Sequence, residues 1–416
     1  MARVAIIGGG FTGLSSAIRL ADSGIETVVF EKEKSLGGLA GSFKPDGWKW
    51  SLEEYYHHIF TNDKEIIAMA KKVGAGLNLH HPETTSFISG KEIRLDSPMS
   101  VLTFNKLSVF SRLWMGAGLL FLKLIPNGLF LEKYKAVKLL PWLIGKEGYR
   151  KIWERLLLAK FGVYAGRVNM AWFWTRVAKR TKNLGYFDGG FVELLLAMAR
   201  YIEKNGGRVL MGKEVSGIKT KGDKVEVNGE LFDKVIVTVP APRVAEVAPD
   251  SKVLWPKIDY LWGQTLVLEL DRGLIGGYWM NILEKDWPFL VAVEHTNMID
   301  KKNYGDKVVV YLGNYLQEGD KRLGLNKDEL TELFLPYLQK INKNFDKKNI
   351  IRSWSFRSPF AQPVFPVNYS RQVPGFATAQ KGVYVANMSM VYPHDRGTNY
   401  AVKMGTEVAE LVLKKL

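Results

Sequence analysis

Cysteine is missing altogether from this 416-residue chain, which excludes disulfides, thiolate metal sites, a cysteine nucleophile and a cysteinyl link to any cofactor. The absence suits a reducing or hot interior. Acidic residues run short, for 42 Asp and Glu stand against 58 Lys and Arg, a net charge of +16. Such a field draws a protein to anionic surfaces, whether lipid head groups, phosphorylated substrates or nucleic acid. Zinc-ligand spacings and basic heptad helices are lacking, so nucleic acid is not expected among the partners. Long apolar runs are lacking too. The uninterrupted stretch Leu113–Leu122 holds ten residues, whereas a helix that spans a bilayer needs ~20. Strand-like residues begin at Arg3, leaving no room for a signal peptide, so a cytoplasmic location is expected. Repeats and low-complexity linkers do not occur. With 47% hydrophobic and 24% charged residues the composition is that of a globular protein, and the length implies two domains.

What is present begins with "ARVAIIGGGFTGLSSAIRLADSG". An apolar strand runs into Gly8-Gly9-Gly10-Phe11-Thr12-Gly13, then into a helix whose Leu14, Ala17, Ile18 and Ala21 recur at helical spacing. A second strand, "ETVVFEK", ends in Glu31, 18 residues past Gly13. Strand, glycine turn, helix and acidic strand end together make a dinucleotide fingerprint. Gly8 and Gly10 let the backbone turn tightly and approach a pyrophosphate, and Gly13 lets helix and strand pack closely. The helix N-terminus supplies free N–H groups and a positive dipole. Glu31 can accept from ribose hydroxyls. In "EKEKSLGGLAGSF", Gly37-Gly38 and Gly41 follow where an extended cofactor would run on over the backbone.

With its acidic residue, basic Lys32 and Gly-Gly turn, the sequence at this point resembles the superfamily of flavin-containing amine oxidases, protoporphyrinogen oxidases and phytoene desaturases. The resemblance covers nearly the whole chain in order. "YFDGGFVELLLAMARYIEKNGGRVLMGKEVSGIK" is the second block, an amphipathic helix and a strand, and "DKVIVTVPAP" a returning strand. The last is "KGVYVANMSMVYPHDRGTNYAVKMGTEVAELVLKKL", whose counterpart in the family places a helix N-terminus at the flavin ring, where its dipole steadies negative charge. The resemblance implies bound FAD, held by Gly8, Gly10, Phe11, Thr12, Gly13, Glu31, Lys32, Gly37, Gly38 and Leu39 at the start, and by Val215, Thr238 and Pro240 in the middle. Asn387, Gly397, Thr398, Asn399, Tyr400 and Ala401 complete the set at the end. The chain departs from the family at Ala386-Asn387-Met388, where Gly-Asp is usual, leaving Asn387 or Asp395 as the polar partner. It departs again at Tyr400, which replaces a customary glycine.

"SLEEYYHHIFTNDK", Ser51–Lys64, has no helical or strand period and is too aromatic for a solvated loop. Following the Gly-Gly turn in the superfamily order, it crosses near the flavin, so Tyr56, His57 and His58 are the candidate catalytic residues. Its "HIF" and "TNDK" also resemble UDP-galactopyranose mutase, though that family's later Arg and paired Tyr motifs have no counterpart here. No metal site is expected, since adjacent histidine side chains point apart. Amine oxidases of the superfamily carry a lysine in a substrate-domain strand; the corresponding "YLWGQTLVLEL" has none, with Gln264 among its residues, which disfavours amine oxidation. Trp354, Phe356, Phe360, Phe365 and Tyr369 line the pocket or belong to the core.

The expected fold is α/β, with a discontinuous Rossmann-like FAD-binding domain at 1–96, 186–255 and 371–416. A mixed-sheet and helical substrate-binding domain takes 97–185 and 256–370. Within it, residues Val101 to Leu158 alternate apolar runs with lysines and carry Trp114, Trp142 and Trp153. These helices either form ordinary core or dip into one leaflet, which would place the protein peripherally on the anionic inner face of the cell membrane. The leading function is an FAD-dependent desaturase or dehydrogenase that moves hydride between the flavin and an apolar, isoprenoid or lipid-linked substrate, working with an electron acceptor or donor. A redox-neutral mutase on a nucleotide sugar is the alternative, and a flavin-binding protein without catalysis is the third.

Overall fold

The computed structural model describes residues 2–394 and 396–416, so the candidate Asp395 lies outside the described residues. The chain opens with β1 (Arg3–Ile7), α1 (Phe11–Ala21) and β2 (Glu26–Phe30), then continues through α2 (Lys64–Val73), β3 (Thr84–Ile88) and β4 (Lys91–Arg94). The helices that follow include α3 (Val109–Leu124), α4 (Ala136–Leu143), α5 (Met170–Ala178) and α6 (Phe191–Lys204). Next come β5 (Arg208–Leu210), β6 (Lys234–Val237), β7 (Tyr260–Leu270), β8 (Trp279–Ile282), β9 (Val291–Glu294) and β10 (Val308–Leu316). The last elements are β11 (Ile350–Pro363), β12 (Val383–Val385) and α7 (Thr398–Leu413).

Five strands make the first sheet, in the order β5-β2-β1-β6-β12, and every pairing is parallel. Runs such as Val4–Ile7, Val28–Phe30 and Val235–Val237 are buried throughout, as strands covered on both faces must be. The sheet draws on the start, the middle and the end of the chain, as expected. Gly13 sets the approach of α1, for a Cβ there would lie 1.9 Å from the Gly8 carbonyl oxygen. Helix α7 crosses α1 at a second glycine. A Cβ on Gly405 would meet the Thr12 carbonyl oxygen at 2.3 Å.

The second sheet has seven strands, β11-β7-β10-β9-β8-β3-β4, antiparallel except where β3 runs parallel to β8. Residues 84–94, which chain order grouped with the nucleotide-binding part, therefore belong to this other sheet. The reason is side-chain burial: Phe87 packs into the apolar layer with Leu266, Met280, Phe289 and Leu312. Helices α3, α4 and α5 gather around a separate core of Met115, Leu122, Leu140, Ile144, Phe161 and Trp172 to Trp174. Among the described residues, no helix is long and apolar enough to cross a membrane.

Candidate functional site

At the mouth of the parallel sheet the first glycines leave a backbone-lined cradle. Gly8 takes φ 113, where a Cβ would strike the Thr238 Oγ at 2.4 Å. Thr238 is held there by donating its hydroxyl to the Ile7 carbonyl, 2.8 Å away. Helix α1 starts at Gly10 without a side-chain cap, so its first amides are left for a ligand. A Cβ on Gly10 would meet only the Gly37 carbonyl oxygen, at 3.7 Å. Glu31 is buried and accepts from Gly9 N at 2.7 Å and Glu33 N at 2.9 Å, which fixes the loop and leaves lone pairs for ribose hydroxyls. The Glu31 backbone is bonded by Leu210 and Lys213, bringing the segment before Val215 alongside; Val215 itself is buried among Ile7, Phe30 and Val237. Gly37 and Gly38 turn at φ 123 and 57, with Leu39 half-buried in the turn that follows. Lys32 and Pro240 behave differently. Lys32 is exposed and pairs with Glu33 at 3.3 Å, and Pro240 is exposed at the start of a 3₁₀ turn.

The C-terminal block supplies a second uncapped helix start. α7 begins after Gly397 with neither a side-chain cap nor an acidic residue in its first turn, so its positive end is available to negative charge. Asn387, at the end of β12, is buried; its Oδ1 accepts from the Ser389 amide and hydroxyl while Nδ2 has no partner among the described residues. A buried donor without a partner costs ~1–3 kcal/mol unless something else accepts from it. Asn399 has a different job from the one expected. Its side chain accepts from Glu65 N and Ile66 N at 2.9 and 3.2 Å, capping α2. Thr398 and Ala401 are half-buried in the first turn, and Tyr400 stacks on His394 with ring centres 4.3 Å apart. Two free helix ends, a glycine cradle and an orphaned amide are what an FAD pyrophosphate and flavin require, so these residues fit that group.

The loop Ser51–Lys64 lies between the two sheets. Glu53 anchors it: the fully buried carboxylate accepts from Tyr186 OH and Phe191 N, both at 2.7 Å, at the start of α6. Tyr311 OH donates to the Glu53 carbonyl at 2.6 Å, and Thr265 donates to the Glu54 carbonyl at 2.6 Å. Tyr56 packs edge-on against Trp279 and Tyr311. His57 bonds the Tyr55 carbonyl through Nδ1 at 2.6 Å, so Nδ1 carries the proton and Nε2 is the bare nitrogen. His58 sits among Phe60, Tyr278 and Trp279 with Nδ1 3.2 Å from Tyr278 OH.

Burial dominates the electrostatics here. It lowers His57 to about 4, with Arg396 pushing the same way, and lowers His58 to about 3, helped by Arg180. Both imidazoles are neutral at pH 7, well below the near-neutral range in which a histidine exchanges protons freely. Burial also raises Tyr56 to about 12 and Glu53 to about 7. Glu53, Arg180 and Arg396 were missed from sequence. Glu53 carries no signal of its own within the Ser51–Lys64 stretch, and the arginines lie far along the chain with no periodic signal. Gln264 turns away from the loop: its neighbours Gly263 and Thr265 face Tyr55 and Glu54, while its amide donates to the Arg322 carbonyl. Of the late aromatics, Trp354 and Phe356 pack on Phe43, Phe360 on Tyr260, and Phe365 with Tyr369 in the helical core. Among the described residues, no three His, Asp or Glu side chains gather to hold a metal.

Residues 11–413 match the family model for flavin containing amine oxidoreductase. The chain belongs to that family. FAD is its cofactor, and it is an oxidoreductase. A zeta-carotene desaturase of Solanum lycopersicum is 39% identical over 83 residues, 20% of this chain and 14% of that protein; the matched stretch is thus about a seventh of the relative. Two solved structures extend the likeness over the full length. A protein assigned as a protoporphyrinogen oxidase from Exiguobacterium sp. 255-15 superposes with TM-score 0.79 at 16% identity, covering 100% of this chain and 99% of that one. Reduced UDP-galactopyranose mutase superposes with TM-score 0.74 at 15% identity, covering 100% and 96%. At these identities the shared property is the fold.

Proposed function

We propose that this flavoenzyme is a desaturase or dehydrogenase that removes hydride from an apolar, isoprenoid or lipid-linked substrate. The observation that carries the reading is the wall around His57 and His58: Tyr56, Phe60, Phe191, Tyr278 and Trp279, with both imidazoles neutral and the charges felt there positive. An ammonium substrate would be repelled by Arg180 and Arg396, whereas a hydrocarbon loses nothing by desolvation. The stretch shared with a carotene desaturase supports the same class. When bound, FAD supplies the hydride acceptor. Loss of hydride from one carbon makes the C–H on its neighbour strongly acidic, so a weak base suffices to take that proton. His57 offers one in Nε2, oriented by the Nδ1 bond to Tyr55. The new C=C forms as the proton leaves, and an external electron acceptor completes the cycle.

The aromatic wall excludes water and holds the donor carbon, which is where most of the rate would come from. Anaerobic mixing with acyclic isoprenoid hydrocarbons should bleach the yellow protein and yield a product lighter by H₂. Absence of bleaching, together with UDP-sugar turnover after chemical pre-reduction, would favour the mutase instead. That second reading draws on Arg180 and Arg396, cations of the kind that hold a diphosphate.

A further inference from the structure

The helical insertion exposes side chains that a water-facing surface does not normally carry. Phe110 is 69% exposed, Leu124 71% and Trp142 74%. They are not scattered. Phe110, Leu113, Phe121 and Leu124 lie on one face of α3, at spacings of three, eight and three residues. Phe110 packs on Trp114 at 5.5 Å between ring centres, and Trp114 Nε1 donates to the Trp142 carbonyl at 3.1 Å. The apolar face of α3 is therefore continuous with the tip of α4, and it far exceeds what single exposed residues make.

Charge selects the occupant. Residues 97–170 contain twelve Lys and Arg against three acidic residues. Of those three, Glu132 is buried and Glu147 is paired with Lys151. Lys106, Lys123, Lys133, Lys135, Lys138 and Lys146 are exposed around the patch. A second copy of the chain would bring the same positive charge against it, and so is disfavoured. α3 has 16 residues, too few to cross a bilayer but enough to lie in its surface. We infer that this face docks on an anionic lipid bilayer, with α3 in the plane of the head groups, the aromatic residues in the acyl boundary and the lysines on the phosphates. A contact ties the patch to Arg180. Lys123, in the last turn of α3, donates to the Arg180 carbonyl at 3.1 Å, and Arg180 is one of the charges that act on His58. Docking stands independently of the reaction proposed above.

The test is co-sedimentation of the full FAD-loaded protein with vesicles of phosphatidylcholine alone or mixed with phosphatidylglycerol. Binding should be at least about tenfold tighter on the anionic vesicles, and salt should weaken it without abolishing it, because insertion is not screened. Phe110→Ser, Phe121→Ser and Trp142→Ser combined should lower binding at least about tenfold at low salt while the protein stays yellow with an unchanged far-UV spectrum. Lys133→Glu, Lys135→Glu and Lys138→Glu combined should remove most of the preference for anionic lipid. Three results would overturn the inference: wild-type protein that ignores both vesicles at low salt, a serine variant that binds as well as wild type, or a dimer in solution that the serine variant dissociates.

Discussion

His57 and His58 are titratable side chains placed where they do not titrate. Burial holds them at about 4 and about 3, so both stay neutral from about pH 5 upward and cannot impose an acidic limb near neutrality. Glu53, at about 7, is the group near them that can. The pH profile of flavin reduction should therefore be flat between about pH 5 and 9 except for an inflection near 7, and Glu53→Gln should remove that inflection. An inflection that survives in Glu53→Gln would assign it elsewhere. If Nε2 of His57 takes the substrate proton, His57→Gln should slow reduction by about 10²–10⁴ with FAD still bound; wild-type rates would make the residue structural. Stability follows the same shifts with opposite signs. The raised Glu53 pKa makes its contribution fully present below pH 4.5 and lost as pH climbs through 7, on the order of 3 kcal/mol. The depressed histidines contribute above 6.5 and lose it as pH falls toward about 4. Wild type and Glu53→Gln should thus diverge in Tm as pH rises from 4.5 to 7, and parallel curves would remove Glu53 from the account. Little of this was legible in sequence. Tyr56, His57 and His58 stood out by their density, but Glu53, Arg180 and Arg396 gain meaning only from contacts made across some 120 to 340 residues of chain.

Elements were read better than side chains, because glycines and apolar periods act locally. Gly8, Gly10 and Gly13 mark the turn and α1 as backbone rules demand, and the strand before them is apolar because both its faces are covered. Contacts between elements were not visible. At Gly405, α7 crosses α1 with backbone against backbone at Thr12. Gly405→Ala should force the helices apart at a cost of about 1–3 kcal/mol and, if the two uncapped N-termini hold the cofactor, weaken FAD binding as well. Calorimetry together with flavin fluorescence titration separates the two effects. A variant as stable as wild type would mean the crossing has room to spare. Asn399 teaches the converse. Chosen as a cofactor residue for its place in the C-terminal block, it spends its carbonyl on the start of α2, where Asp63 gives no side-chain cap. Asn399→Ala should cost about 0.5–2 kcal/mol while the flavin spectrum stays unchanged.

In the whole molecule, one parallel sheet ties together strands separated by as many as 380 residues, Arg3 to Val383 and beyond. The order of three blocks along the chain revealed that closure, but it misplaced Thr84–Arg94, whose strands answer to burial against the second sheet rather than to chain order. A cofactor held by Gly8–Gly13, by the turn at Gly37-Gly38 and by the start of α7 would touch the first and last parts of that sheet at once. Its binding would then act on the folding of the entire parallel domain. A ligand that binds only the folded state adds RT ln(1 + [L]/Kd), about 2.7 kcal/mol when free FAD is a hundredfold above its Kd. With no cysteine in the chain, a cysteinyl tether is excluded, and acid precipitation should release intact FAD into the supernatant. Refolded apoprotein should melt several degrees below the holoprotein and recover on addition of FAD, with Tm rising as the logarithm of its concentration. Glu31→Ala should lower that rise, since it loosens the Gly9 loop and removes an acceptor for the ribose, at about 1–3 kcal/mol of binding. FAD that leaves Tm unmoved in wild type would mean that the cradle forms no part of the cooperative core.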